Sequence, residues 1–248
     1  MIKTAVIMAA GLGTRFGKRT ESIPKSFIEV NGKSMIIREI EILLGTGIKK
    51  IIIGTGYKKE MFEQLKERYP QIECCYSEYY ASTNSMWTLY NCREVIGNDD
   101  FILLESDLVF ERKAITALMN DSHPDILLAT NENKFQDQYF VEYNQGGFLT
   151  HCSVNRQELN VCGELVGIHK ISNPFYKDLC DYYLSIKQDY PKMGYEFALL
   201  HLSKIAKPIY VLKIDGLKWY EIDDERDLSY AETIDDIFTK KFHELSKK

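Results

Sequence analysis

The sequence predicts an α/β fold with a mixed, mainly parallel central sheet flanked by helices. Three observations predict it. Short apolar runs at Ala5–Ala10, Ile51–Ile53 and Phe101–Leu104 each end in glycines or acids, as buried strands do when they open into loops. Between the first two lie Ile36, Ile37, Ile40, Leu43 and Leu44, and after the second come Met61, Phe62 and Leu65, recurrences of helical period. Strand, helix, strand, helix in that order implies parallel pairing through right-handed crossovers. The 248 residues suit one large domain with a substantial core, and no linker, repeat or low-complexity segment divides them.

Composition narrows the partners. A formal charge of -5 and the lack of a stripe dense in Lys and Arg argue against duplex nucleic acid, whose binding rests on phosphate neutralisation. No run approaches the length of a membrane span, and Met1–Thr4 leads into a strand-length run rather than a cleavable leader, so a cytoplasmic location is expected. Cys74, Cys75, Cys92, Cys152, Cys162 and Cys180 include no C-x-x-C pair and fit thiols of a reducing compartment. The five histidines are not clustered and are expected to be structural or on the surface.

The first strand empties into Gly11-Leu12-Gly13-Thr14-Arg15-Phe16-Gly17. Glycine loops can turn several backbone N–H groups toward one anion. Ten residues on, Pro24 stiffens the segment that presents Lys25. Arg15 and Lys25 are expected to face the same triphosphate. Two familiar motifs fit poorly: Phe16 stands where a dinucleotide fingerprint needs its third glycine, and the Walker spacing and hydroxyl are absent.

Further along, Phe27–Val30 reads as a short extended segment closed by the Asn31-Gly32 turn, and Ser34 as an N-cap for the helix ending at Gly45. After a third strand, Ile72–Tyr76, the stretch Ser77–Leu89 mixes aromatics with hydroxyl and amide groups and then turns helical. Such side chains read the polar edge of a pyrimidine, and they also cap helices. Asp100–Asp107 is an apolar strand ending in acids. Ligands bind outside the carboxyl ends of parallel strands, so Asp107 is expected beside Gly11 and Gly13, with Glu105 on the same face. A carboxylate there suits Mg²⁺, which takes oxygen ligands and phosphate; an Asp in that place also caps a following helix, here Glu111–Met119. The second half reads as a strand at Ile126–Thr130, a hairpin from Tyr139 to Leu149, a strand at Glu164–Ser172, a helix at Asn173–Tyr183 and a strand at Pro208–Ile214. Leu228–Lys248 reads as a solvated terminal helix.

Taken together, the glycine loop ending in Arg15, Pro24-Lys25, the segment Tyr80-x-x-x-Asn84-x-x-x-Thr88-Leu89 and the closing Tyr220-Glu221-Ile222-Asp223 resemble the bacterial CTP-dependent cytidylyltransferases of the phosphocholine and 2-aminoethylphosphonate type. Thr88 stands where that family tends to have serine. The resemblance runs from Lys3 to about Glu232 and implies a Rossmann-like nucleotidyltransferase fold with a small acceptor-binding β insertion. It implies one domain over 1–248, with 1–125 mainly holding CTP, 126–232 mainly holding the acceptor and 233–248 a terminal helix. Relatives are sometimes one part of a longer fused polypeptide.

By that resemblance Arg15, Lys25 and Asp107 carry the chemistry. Ala9, Ala10, Gly11, Gly13, Thr14, Tyr80, Ser82, Asn84 and Ser85 bind the nucleotide, and Asp107 and Asp223 hold Mg²⁺. Asp137, Tyr139, Lys170, Tyr195 and Glu196 meet the acceptor. Where phosphocholine enzymes tend to carry tryptophans this chain has Asp137-Gln138-Tyr139 and Tyr195-Glu196-Phe197. A quaternary ammonium wants an aromatic cage, whereas a primary one wants carboxylates, so 2-aminoethylphosphonate is the preferred acceptor over phosphocholine. A sugar-1-phosphate nucleotidyltransferase and a silent nucleotide-sensing domain remain alternatives.

Overall fold

The computed structural model describes residues 2–132, 138–205 and 207–233. Strand β1 (Thr4–Ala9) leads into the glycine loop and a 3₁₀ segment, Thr14–Glu21. A 3₁₀ turn at Lys25–Phe27 precedes the hairpin of β2 (Glu29–Val30) and β3 (Lys33–Ser34). Asn31 and Gly32 both have positive φ, 49° and 76°, as a tight Asn-Gly hairpin turn requires. Helix α1 (Met35–Gly45), strand β4 (Lys50–Thr55), helix α2 (Lys59–Arg68) and strand β5 (Ile72–Tyr76) follow. Next come α3 (Ser85–Asn91), α4 (Arg93–Ile96), β6 (Phe101–Glu105), β7 (Leu108–Phe110) and α5 (Lys113–Asn120).

The remaining elements are strands β8 (Ile126–Thr130), β9 (Phe140–Tyr143), β10 (Leu149–Ser153) and β11 (Gly163–Ile171), helices α6 (Asn173–Ile186) and α7 (Tyr195–Ile205), and strands β12 (Tyr210–Lys213) and β13 (Trp219–Glu221). The sheet runs β10-β9-β11-β6-β1-β4-β5, with β8 pairing β11 and β12. Strands β6, β1, β4 and β5 are parallel neighbours, while β11 runs antiparallel to β6. The expected strands, including the β9–β10 hairpin, are in place.

Strand alternation sorts the core into two layers. Val6, Ile52, Phe101 and Leu103 face α3, α6 and α7, while Ala5, Ile7, Ile51, Ile53, Ile102 and Leu104 face α1, α2 and α5. The parallel strands therefore end together, with Met8 beside Glu105. That shared edge is where their loops must meet.

Two local readings differ from expectation. Asp107 caps no helix, because β7 intervenes before α5 and pairs with β13. The start of the expected terminal helix is also less solvated than its charges suggest: residues 225–233 are helical, and Leu228 and Ala231 are buried against Phe16, Ile28 and Val30. The rest of that expected helix, 234–248, lies outside the described residues.

Candidate active site

The site is assembled at the carboxyl edge of the parallel strands by one short piece of sheet. In the β7–β13 pair Glu221 stands opposite Leu108, and the Ile222 N–H donates to the Asp107 carbonyl at 3.0 Å. This pairing draws residues 221–223 onto 107 across more than a hundred residues of chain. Lys25 comes from the other side, pinned in its turn by the Phe27 N–H donating to the Pro24 carbonyl at 2.9 Å. Its ammonium donates to Asp107 Oδ2 and to Asp223 Oδ1, both at 2.6 Å, and Arg15 Nη2 donates to the same Asp223 oxygen at 2.7 Å. Burial would lower the pKa of Lys25, but Asp107 and Asp223 outweigh it and hold the ammonium charged.

Gly13 makes this approach possible. Its φ is +64°, and a Cβ there would lie 2.8 Å from the Cβ of Lys25; only glycine meets both demands cheaply. The loop thus lies directly on the lysine segment. Around it opens a cleft of about 580 Å³ bounded by Ala10–Thr14, Tyr80, Asn84, Ser85 and Thr88 on one side and Tyr139, Glu196 and Phe197 on the other. A smaller cavity of about 190 Å³ adjoins it, sharing Glu105, Tyr139, Glu196 and Glu221 and adding Arg15, Gln138, Trp219 and Asp223.

Acids dominate the boundary between the two spaces. Glu105, Asp107 and Glu221 each offer a carboxylate oxygen within 4.8 Å of the others. Burial first, then Glu221, Glu196 and Asp107, push the Glu105 carboxyl well above its usual range. Burial, with Asp107 and Asp223, pushes Glu221 up to about 7, while Gln138 Nε2 donates to its Oε2 at 3.0 Å. Desolvation likewise raises Glu196. Such crowding of like charges calls for a cation. Asp107 Oδ1 is buried and has no partner among the described residues, and an all-oxygen donor set of this kind fits Mg²⁺. Of the expected metal pair, Asp107 and Asp223 meet at the Lys25 ammonium, and Asp107 is in addition grouped with Glu105 and Glu221.

Other expected site residues divide. Ala10, Gly11, Gly13, Thr14, Tyr80, Asn84 and Ser85 line the cleft, as do Tyr139 and Glu196. Ala9 does not, because strand alternation turns its methyl into the core beside Ile36 and Ile40. Ser82 is exposed and its hydroxyl donates to the Tyr79 carbonyl at 3.3 Å; Thr83 takes its place on the wall. Lys170 is misplaced for an acceptor. It pairs with Ile102 and Ile126 at the opposite edge of the sheet and donates to the Asp121 carbonyl at 2.9 Å. Tyr195 borders the cleft but is fully buried, its hydroxyl committed to Glu105 at 2.8 Å. Asp137 lies outside the described residues.

Three residues escaped the sequence reading. Glu221 was legible, since it stands in the closing Tyr220-Glu221-Ile222-Asp223 segment two residues from Asp223. Glu39 gave no signal: it is an acid on a helix face of isoleucines, wholly buried, accepting from the Leu108 N–H at 3.4 Å. His169 is buried beside Tyr195, and burial drives its pKa down to about 3, so the ring is neutral.

A glycine loop at the end of the first strand, two cations and a carboxylate group at the edge of a mixed sheet define a nucleotidyltransferase. The chain belongs to the family of the MobA-like NTP transferase domain, which matches residues 5–171. It is 28% identical over 236 residues to choline-phosphate cytidylyltransferase of Streptococcus pneumoniae, covering 93% of this chain and 97% of that protein. It is 38% identical over 111 residues to 2-aminoethylphosphonate cytidylyltransferase of Lancefieldella rimae, covering 45% of each. Among solved structures, the CTP:phosphocholine cytidylyltransferase from Streptococcus pneumoniae superposes with a TM-score of 0.80 at 26% identity, over 94% of this chain and 99% of that one. No helix among the described residues is long and apolar enough to cross a membrane.

Proposed function

We propose that this enzyme transfers CMP from CTP to the phosphonate of 2-aminoethylphosphonate and releases pyrophosphate. The observation that carries the reading is the small cavity beside the main cleft, lined by Glu105, Glu196 and Glu221 together with Arg15 and Asp223. A glutamate in that lining complements a primary ammonium, and Lys25, whose ammonium lies 2.6 Å from Asp223 Oδ1, is placed to meet the phosphonate as well as the α-phosphate. The larger cleft, bounded by the glycine loop and by Tyr80, Asn84 and Ser85, suits the nucleotide.

In this reading an acceptor phosphonate oxygen attacks the α-phosphorus of CTP in line. The bond from that phosphorus to the bridging oxygen breaks, and its electron pair leaves with pyrophosphate. No protein nucleophile is needed, because positioning and charge neutralisation supply the acceleration. Lys25 neutralises the α-phosphate and Arg15 holds the departing phosphates, both leaving their carboxylates to do so. Glu196 receives the ammonium, while Gln138 fixes one oxygen of Glu221. Asp107, with Glu105 and Glu221, would hold Mg²⁺, which when bound neutralises phosphate charge.

One observation favours a second reading. Tyr139 and Phe197 meet edge to face at 5.9 Å on the cleft wall, and such rings can hold a quaternary ammonium, as in phosphocholine. The relative from Streptococcus pneumoniae that spans nearly the whole chain is named for that substrate. Pyrophosphate release from CTP, measured side by side with 2-aminoethylphosphonate, phosphocholine and phosphoethanolamine, separates the two. The proposal expects the highest kcat/KM with 2-aminoethylphosphonate; faster turnover of phosphocholine reverses it, and turnover of a hexose 1-phosphate alone returns the sugar nucleotide reading.

A further inference from the structure

Glu105 enters the cleft with one of its two oxygens already held from behind. We propose that Tyr195 and His169 are a positioning pair that fixes Glu105, engaging its inner oxygen so that the other faces a cation. The inference rests on the reading of Glu105, Asp107 and Glu221 as a cation-binding group, and it is independent of which acceptor is used.

Both residues are fully buried. The Tyr195 hydroxyl donates to Glu105 Oε1 at 2.8 Å and lies 3.4 Å from His169 Nε2, with the two rings edge to face at 5.7 Å. Since the phenol spends its proton on the carboxylate, the histidine contact requires the tautomer with Nε2–H pointing at the phenol oxygen. His169 Nδ1 is then a bare nitrogen, and it has no partner among the described residues. A phenylalanine would fill the same volume at 195, so the buried hydroxyl has no packing purpose; its partners define its use. The opposite side of Glu105 is cleared as well. Gly167, at an irregularity in β11, has φ +72°, and a Cβ there would lie 2.9 Å from Glu105 Oε2. One oxygen is tethered, glycine at 167 keeps a side chain off the other, and Glu196 hydrogen-bonds both Glu105 and Tyr195. The tether is anchored in turn, because the Tyr195 N–H donates to Ser85 Oγ at 3.0 Å.

Direct Mn²⁺ binding to the full chain, followed by the electron paramagnetic resonance signal of the free ion, tests the pair without reference to turnover. Tyr195→Phe keeps the ring and the fold, which a melting curve checks. It is expected to weaken Mn²⁺ binding by about tenfold or more, as loss of a partner behind a metal ligand does. His169→Leu is expected to weaken it less, and the double variant no more than Tyr195→Phe alone, because the histidine acts only through the phenol. In a Glu105→Gln background, adding Tyr195→Phe is expected to change nothing further. Binding within twofold of the parent in Tyr195→Phe overturns the proposal, as does additive weakening in the Glu105→Gln background or a parent chain that takes up no Mn²⁺. Lack of turnover with 2-aminoethylphosphonate would instead refute the acceptor assignment and leave these titrations to decide the positioning pair.

Discussion

Replacing Lys25 with methionine removes one charge while keeping most of the side chain's volume. In the parent the two carboxylate oxygens each lie 2.6 Å from the ammonium, so they are no more than twice that, 5.2 Å, apart. At an effective dielectric of about 20, two unit negative charges at that separation repel by about 3 kcal/mol. These groups are mostly buried, with side-chain exposures of 13% for Lys25, 19% for Asp107 and 8% for Asp223, so water screens them little. Lys25→Met is therefore expected to lose about 3 kcal/mol of stability in denaturant titration, the range found when one partner of a buried pair is removed. Its kcat/KM for CTP, read as pyrophosphate release well below the melting temperature, is expected to fall about 10²–10³-fold, the cost of losing one preorganised charge at a reacting centre. A variant within about threefold of the parent would show that Lys25 only balances two structural acids, and the reasoning would fail.

Gly13→Ala places a side chain in a left-handed conformation, costing about 1–2 kcal/mol, and crowds the Lys25 Cβ; a CTP affinity weakened by about tenfold in calorimetry is expected, and unchanged affinity contradicts the account. Glu196→Gln removes a charged acceptor from the ammonium site, so kcat/KM for 2-aminoethylphosphonate is expected to drop about tenfold or more while an amine-free alkylphosphonate is little affected; equal losses on both would refute the assignment. Burial, and then the charge of Asp107, hold the Glu39 carboxyl well above its usual range. The folded state binds that proton more tightly than the unfolded chain, so this group's contribution to stability falls as pH rises above the unfolded value of about 4.3 and levels off once the pH passes the folded value. Glu39→Gln cannot ionise and should melt above the parent at pH 8 and with it near pH 4. A gap in Tm that does not widen with pH counts against this.

Local pattern made the sheet legible, because period and punctuation are written in adjacent residues. Ile51–Ile53 before Gly54 and the Asn31-Gly32 turn needed no distant information. The meeting of Lys25 with Asp107 and Asp223 was legible through resemblance to a family. Its physical cause, the pairing of Leu108 with Glu221, is a contact across the chain that no local pattern encodes. The misplacements have the same origin. Lys170 and Glu164 belong to one strand, but β11 runs antiparallel to β6, so its later residues finish at the far edge. Ala9 fails by alternation, since its neighbours Met8 and Ala10 face the cleft and it cannot. Tyr195 borders the cleft with its hydroxyl turned to Glu105, a detail hidden from the sequence because it does not tell which side of an aromatic residue is buried.

The central claim is that two cations and a neighbouring group of glutamates act on the two ends of one reaction in a single cleft. A crystal structure of the chain with a non-hydrolysable CTP analogue, Mg²⁺ and 2-aminoethylphosphonate tests it most directly. The account predicts phosphate oxygens within hydrogen-bonding distance, about 3 Å, of Arg15 and Lys25, and the ammonium at the same distance from Glu196. A nucleotide seated away from Lys25, or an amine bound outside the carboxylate group, would contradict it.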